Sequence, residues 1–498
     1  MTDHIPEGWA WATIAEVTER VPNTRPEDFP NKEFSYIDIS SIDNSRFVIA
    51  EKKQFKGKDA PSRARRPIRS NDVLFSNVRT YLRNIALIEP TNPAQICSTG
   101  FTVLRPNSAI DPRFLFRYVL TNAFIDKVTP QQTGTHYPAT SDRVVMSERI
   151  PLAPRAEQQR IVERLERLFV EVDRSKSRMA KIPVLLKRFH QSVLAAACSG
   201  RITADWRDFR DRMPRTEVVF RQIRERRLKA ASSIKQRQVI EDIYSAVEEN
   251  DSDMLPQGWA FTYLNKLAES FDYGTSTKSS NEGTVPVLRM GNIQGGTIDW
   301  SDLVYTSDEE EIEKYALEPN TVLFNRTNSP ELVGKTALYR GERPALFAGY
   351  LIRVNAVPEL DPEYLNLCLN SPAAREFCSQ VKTDGVSQSN INAQKLGTFE
   401  VPFCSLAEQQ EIVRRVAKLF ALANRIESRY DAAKKRIDPL TQSILAKAFR
   451  GELVPTEAAL AEAEGRSFES AEELLNMIRR RDSTAEKPRL VRSSGRGH

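Results

Sequence analysis

The feature that most constrains this chain is a helix start written twice. AEQQRIVERLERLF begins at Ala156 and AEQQEIVRRVAKLF at Ala407, and nine of the fourteen letters agree. The echo extends outward. IPEGWAWATIAEVTE from Ile5 answers LPQGWAFTYLNKLAE from Leu255. NDVLFSN from Asn71 answers NTVLFNR from Asn320, and DPRFLFRYVL from Asp111 answers DPEYLNLCLN from Asp361. Order is kept and the spacing drifts by only two residues. The chain is an internal duplication, and such a period fixes the architecture before any local detail does.

Each half has one plan, a globular block and then a long helix. In the blocks, short β-rich runs (FSYIDIS, FTVLR, VPVLRM, LIRVNAV) mix with helical stretches such as RFLFRYVLTNAFIDKV, punctuated by Pro, Asn, Gly and Ser. That predicts two α+β domains with long loops. The expected division is 1–155 and 255–406 for the blocks, 156–200 and 407–451 for the helices, 201–254 for a charged helical linker, and 452–498 for a C-terminal helical segment with a basic tail.

One apolar seam runs along each helix. In the first it is Ile161, Leu165, Leu168, Val172, Ser175, Met179, Ile182, Leu186, Phe189 and Val193. In the second it is Ile412, Val416, Leu419, Ala423, Ile426, Tyr430, Ala433, Ile437, Leu440 and Ile444. Steps of four and three held over more than four heptads mark a coiled-coil seam. Ser405-Leu406-Ala407-Glu408 fits a capping box, and Gly200 and Gly451 fall where a left-handed cap is expected. Pro183 and Pro439 lie inside the expected helices at inequivalent positions, so they should interrupt them differently. Neither helix can bury its seam alone. Pairing within the chain, as an antiparallel coiled coil with a block at each end, uses the partner of highest local concentration. Pairing with a second chain is the alternative.

The composition suits a soluble globular protein, with 40% hydrophobic and 28% charged residues among 498. No apolar run reaches the roughly 18 residues of a membrane span, and the start of the chain has no secretory pattern. The five cysteines form no CxxC, which points to reduced thiols and a cytoplasmic location. Basic charge is clustered. Arg46–Arg83 holds eleven Lys/Arg against three Asp/Glu, and Arg201–Arg237 holds twelve against five. Such clusters suit a polyanion, although solvated surface charge reads the same way.

A search for catalysis finds near misses. SPELVGKT at Ser329–Thr336 ends like a phosphate loop but has serine where the first glycine is needed. The carboxylate and E-x-K of DNSRFVIAEKK are of a kind that any charged strand contains. The four histidines are scattered. The expectation is a binder with no catalytic, cofactor or metal site of its own.

Two blocks opening P-x-G-W, each closed by P-x-x-x-x-A-E-Q-Q and a helix ending Q-S-[VI]-L-A-x-A-x-x-G, resemble the specificity subunit of type I restriction–modification systems. The resemblance implies two target recognition domains, each reading half of a split DNA site. The helices would set the gap and carry two methyltransferase subunits. S-adenosylmethionine would bind those subunits, and ATP and Mg a motor–nuclease subunit. A related system whose partner fuses methylation and cleavage, or a coiled-coil scaffold that binds no DNA, are the alternatives.

Base reading favours planar side chains with two hydrogen bonds to offer, carried on loops of a rigid scaffold. In the first block SNVRTYLRN offers Asn77, Arg79, Tyr81 and Arg83, and TGTHYPATSDR offers Thr135, His136 and Tyr137. Lys52, Lys53, Lys56, Arg63, Arg65 and Arg66 are candidate phosphate contacts. In the second block the candidates are Asn325, Arg326 and Asn328, then Ser387, Gln388 and Asn390, with Arg289 and Asn292 from LRMGNI. Trp9 and Trp259 are expected in the core. Gln158 and Gln159, with Gln409 and Gln410, lie in the first helical turns and suit either packing on the block or contact with a methyltransferase subunit.

Overall fold

A computed structural model of the chain describes residues 4–89, 95–132, 138–207, 216–245, 255–386 and 388–485. It divides into two compact units, Met1–Met179 with Ala432–His498, and Ala180–Asp431. Among the described residues no helix is long and apolar enough to cross a membrane.

In the first unit the block opens and closes on itself. Strand Ala10–Thr13 pairs antiparallel with Arg149–Leu152, the strand just before the long helix. Between them lie two four-stranded sheets. One runs Thr18–Glu19, Phe101–Pro106, Val73–Ser76, Ile85–Leu87. The other runs Lys53–Lys56, Glu33–Ile37, Gln95–Ser98, Ala64–Ile68. Helices Pro112–Val119 and Asn122–Val128 cover the first sheet's core face with Phe114, Leu115 and Phe124 fully buried. Each is started by a side-chain cap, from Asp111 and Thr121.

The second unit repeats this plan. Ala260–Tyr263 pairs with Glu400–Phe403. The first sheet recurs as Ala268–Tyr273, Leu351–Ala356, Thr321–Asn325, Thr336–Tyr339. The second sheet recurs with three strands, Val304–Thr306, Val285–Leu288 and Leu346–Phe347. Helix Glu309–Tyr315 occupies the chain position of the missing fourth strand. Asn71 and Asn320 both enter their strands with positive φ, 70° and 66°. Asparagine tolerates that conformation better than most residues.

Each long helix is interrupted beside its proline. The first is Arg155–Met179 followed by Ile182–Cys198, with Pro183 in the new first turn. The second is Leu406–Ile437 followed by Leu440–Ala448, with Pro439 as its cap. Proline lacks the amide hydrogen and crowds the carbonyl four residues back. Because the prolines are inequivalent, the first segments differ, 25 residues against 32.

The break partitions the helices between the units. In the first unit Ile444, Leu445, Ala448 and Phe449 from the end of the second helix share a core with Ile161, Val162 and Leu165. In the second, Val193 and Ala197 from the end of the first helix share a core with Ile412 and Val416, and the rings of His190 and Phe420 lie 4.8 Å apart. The start of one helix therefore meets the end of the other inside each unit.

The seam is uneven. Ile161, Leu165, Val172, Ile412, Val416 and Ala423 are buried. Leu168, Met179, Leu186, Leu419, Tyr430 and Ile437 are half-buried, and Ile426 is exposed at 41%. The expectation that Ile426 packs in the seam is corrected. Ala423 before it is buried and Tyr430 after it is half-buried, so the stripe is interrupted at Ile426 and resumes beyond it.

The segments after the helices wrap onto the blocks. Gly200 and Gly451 take φ of +68° and +73°. A Cβ on Gly200 would lie 2.8 Å from Pro256, and one on Gly451 would lie 2.3 Å from Pro6. The described parts of the linker form helices Thr216–Ala230 and Ile234–Ser245, with Ile223 and Ile240 buried. Arg227 donates to the Asn265 carbonyl at 2.9 Å and the Tyr244 hydroxyl to that of Lys266 at 2.8 Å. This segment is part of the second unit's packing. Helices Glu457–Glu464 and Ala471–Ala485 do the same on the first unit, burying Ala471, Leu474 and Leu475.

Candidate nucleic-acid interface

The P-x-G-W and AEQQ motifs meet in both units and are structural. Trp9 and Trp259 are buried, and their indole N–H groups donate to Glu157 and Glu408, each at 3.0 Å. Glu157 also accepts from the Glu457 amide at 2.8 Å. Glu408 accepts from the Thr203 hydroxyl at 2.7 Å and from Arg207. Burial, set against these bonds, leaves the Glu157 carboxyl above its ordinary range. Gln158 accepts from the Asp111 amide at 2.7 Å and donates to Ala109 and Ala153 carbonyls. Gln409 makes the same three bonds with Asp361, Glu359 and Cys404. These glutamines lock each helix to its block. Gln159 and Gln410 are exposed.

The two candidate loops of each block converge. In the first, the amide of Arg79 donates to the Pro138 carbonyl, and that of Thr140 to the Asn77 carbonyl, both at 2.8 Å. A bridge joins Val78 and Ala139. In the second, strand Thr327–Asn328 pairs with Ser389–Asn390, which pairs with Thr383–Asp384. Segments about 60 residues apart in sequence thus form one surface in each block.

Side chains on these surfaces divide into exposed and committed ones. In the first block Tyr81 is 52% exposed, and Lys52, Lys56 and Arg63 are exposed. Arg83 donates to Asn122. Asn77 was expected to read a base but is buried. Its amide donates to Asp142 at 2.9 Å, and its carbonyl oxygen accepts from Thr102 at 2.7 Å. Arg66 pairs with the same Asp142. Burial pushes the Asp142 carboxyl up, but bonds from Arg66, Thr102 and Asn77 outweigh it and hold the group below the ordinary range. Asn77 and Arg66 therefore build the loop's base. Lys53 pairs with Asp38 at 2.6 Å and Arg65 with Glu27 at 2.5 Å, so these two are also engaged within the block. Thr135, His136 and Tyr137 lie outside the described residues, as does Ser387.

In the second block the Arg326 guanidinium lies 4.7 Å from the Tyr273 ring centroid. It is 3.4 Å from both the Asn390 side-chain oxygen and the Gly349 carbonyl. Asn390 donates to the Thr327 hydroxyl at 2.8 Å. Asn328 accepts from the Ser329 amide at 2.8 Å, and Gln388 is exposed. Two expectations are corrected. Asn292 is buried, donating to the Asp299 and Asp302 carbonyls at 2.9 and 2.8 Å, while its oxygen caps the Arg289 amide. Asn325 is fully buried, and among the described residues neither of its side-chain polar atoms has a partner. Arg289 is half-buried and 3.2 Å from Asp302. Tyr273 and Asp142 organise these surfaces and were missed. Tyr273 carries no local signal, and Asp142 reads in sequence as an ordinary first-turn acid after Ser141. The SPELVGKT segment leads into strand Thr336–Tyr339 and opens no helix.

A duplicated scaffold with paired loops defines a class, and comparison names it. The family model of the type I restriction modification DNA specificity domain matches residues 6–183 and again 256–432. The chain belongs to that family. It is a specificity subunit of a type I restriction–modification system with two DNA recognition domains, and catalysis lies in other subunits. It is 28% identical to the EcoKI specificity subunit of Escherichia coli K12, covering 90% of both chains. The HsdS subunit of Thermoanaerobacter tengcongensis is similar at 26% identity and a TM-score of 0.61, over 91% of this chain and 99% of that one. A chain from a structural study of complex assembly and conformational transition in the type I system matches at 26% identity and a TM-score of 0.66, over 90% and 99%.

Proposed function

We propose that each block reads one half of a split DNA site. The first block uses the 76–84 and 138–143 segments, and the second uses 325–328 and 388–390. The observation that carries this is the convergence of the same two segments in both blocks, the first of them following the equivalent strands Val73–Ser76 and Thr321–Asn325, with different side chains. Arg79, Tyr81 and Arg83 are the readers in the first block, with Lys52, Lys56 and Arg63 on phosphates. Arg326, Asn328, Gln388 and Asn390 are the readers in the second, with Arg289 at the edge. Phosphate contacts position and base contacts specify.

The helices act as an antiparallel pair that sets the gap between half-sites and offers the surface on which two methyltransferase subunits dock. The meeting of one helix's start with the other's end in each unit supports this. S-adenosylmethionine belongs to those subunits, and ATP with Mg to a motor–nuclease subunit. The test is a methylation map. The chain is expressed with its neighbouring methyltransferase subunit in a host lacking adenine methylation, and modified bases are sequenced. Two short specific runs around a fixed gap are expected. A single continuous motif would defeat the two-reader model.

A further inference from the structure

We propose that Tyr81 and Leu82 form an apolar wedge that enters the DNA stack at one base step of the first half-site. This rests on the reading that the 76–84 loop meets DNA, and goes beyond it in assigning how.

The wedge is two adjacent large side chains at the tip of a short 3-10 turn, Thr80–Leu82, exposed at 52% and 40%. A scattered exposed leucine means little. Here the pair is presented by a backbone that is both strained and fixed. Arg79 and Arg83, the residues on either side of the turn, have φ of +49° and +54°. Among the described residues only five other than glycine have positive φ. Two are the equivalent asparagines Asn71 and Asn320. The other three, Phe47, Arg79 and Arg83, belong to this loop and its neighbour, since the Asn44 side chain donates to the Leu82 carbonyl at 2.9 Å. Left-handed backbone costs roughly 1–2 kcal/mol per such residue, and strain of this kind concentrates at functional sites.

The surroundings hold the strain. The Arg83 amide donates to Thr80 at 2.9 Å, and the Leu82 amide to Arg79 at 2.8 Å. The buried Thr80 hydroxyl is 2.8 Å from that of Thr129 and receives Gln132 at 3.0 Å. Arg83 is tied to Asn122. None of these bonds needs the Tyr81 or Leu82 side chains, which are left exposed. A rigid apolar tip on a block that also exposes Lys52, Lys56 and Arg63 matches duplex DNA: those cations meet phosphates, and the apolar pair replaces stacking lost at an opened step. A protein partner would bring no comparable row of anions.

The test uses the complex of this chain with its methyltransferase subunits and a duplex carrying the mapped site. The probe is 2-aminopurine, placed in turn at each position of the first half-site lying at least two base pairs from the methylated adenine. Emission should rise several-fold at one step on binding. Tyr81→Ala with Leu82→Ala should abolish that rise and weaken binding about 10-fold, while Tyr81→Phe should keep both. If the site is bound tightly and no position brightens, or the double variant still brightens it, the wedge is wrong and the half-site reading stands. If variants throughout 76–84 leave both half-sites and the affinity unchanged, the reading falls and takes the wedge with it.

Discussion

The two recognition blocks share strand order, caps and the buried indole–carboxylate bond, yet they stabilise their loops by different chemistry. In the first, one carboxylate, Asp142, gathers Arg66, Thr102 and Asn77 beneath the loop. In the second, Ala393 stands in the matching stretch of sequence, and Arg326 lies on Tyr273 instead. The first loop rests on a satisfied polar network. The second contains a fully buried Asn325 amide with no partner among the described residues, a costly arrangement. A duplicated scaffold lets loop chemistry diverge without touching the core, so each half-site can change independently.

The largest expected effect tests the shared scaffold. Glu408→Ala leaves Arg207, whose side chain is 17% exposed, without its buried partner. It should destabilise the second unit by about 3–5 kcal/mol. Glu157→Ala, which removes two hydrogen bonds, should cost the first unit about 1–3 kcal/mol. Hydrogen exchange resolved by unit measures both, and equal losses would mean that the two carboxylates are interchangeable.

Next comes the seam. Ile412→Ala should cost about 2–5 kcal/mol, and Ile426→Ala about 0.5 kcal/mol or less, read by thermal unfolding of the complex-free chain. Comparable values would restore a continuous seam. Arg326→Ala should remove about 1–3 kcal/mol of base discrimination. The methylation map should show relaxation in one half-site only, and change in both would break the comparison between blocks.

The smallest effect concerns acidity. Asp142 is depressed in the folded state, so its contribution is complete above the ordinary value of 3.8 and is lost as pH falls through its lower folded value. Asp142→Asn should raise exchange at residues 76–80 at neutral pH, with little further difference from the parent once the medium is acidic enough to protonate Asp142. The side chain is 41% exposed, so solvent screening keeps the effect small. A neutral-pH profile identical to the parent's would show that the network does not hold the loop.

The duplication, the mixed helix and strand content of the blocks and the interrupting prolines were legible because they are local or periodic: caps, i+3/i+4 stripes and a repeated register. The roles of Asn77, Asn292 and Asn325 were not. Asparagine has the same donors and acceptors whether it reads a base or closes a turn, and only its neighbours decide. Asn77 meets Thr102 and Asp142 across sheet and loop, 25 and 65 residues away, and Tyr273 reaches Arg326 across a strand pair.

The sequence by itself determined that there are two copies of one plan, where each helix begins and ends, and which kind of residue fills the loops. Those follow from hydrogen bonding and periodicity within a few turns of chain. Tertiary structure alone decided which seam residues are buried in each unit, and which polar side chains are held inside. Those depend on contacts between segments far apart in sequence, where burial and partner geometry, rather than residue type, set the free energy.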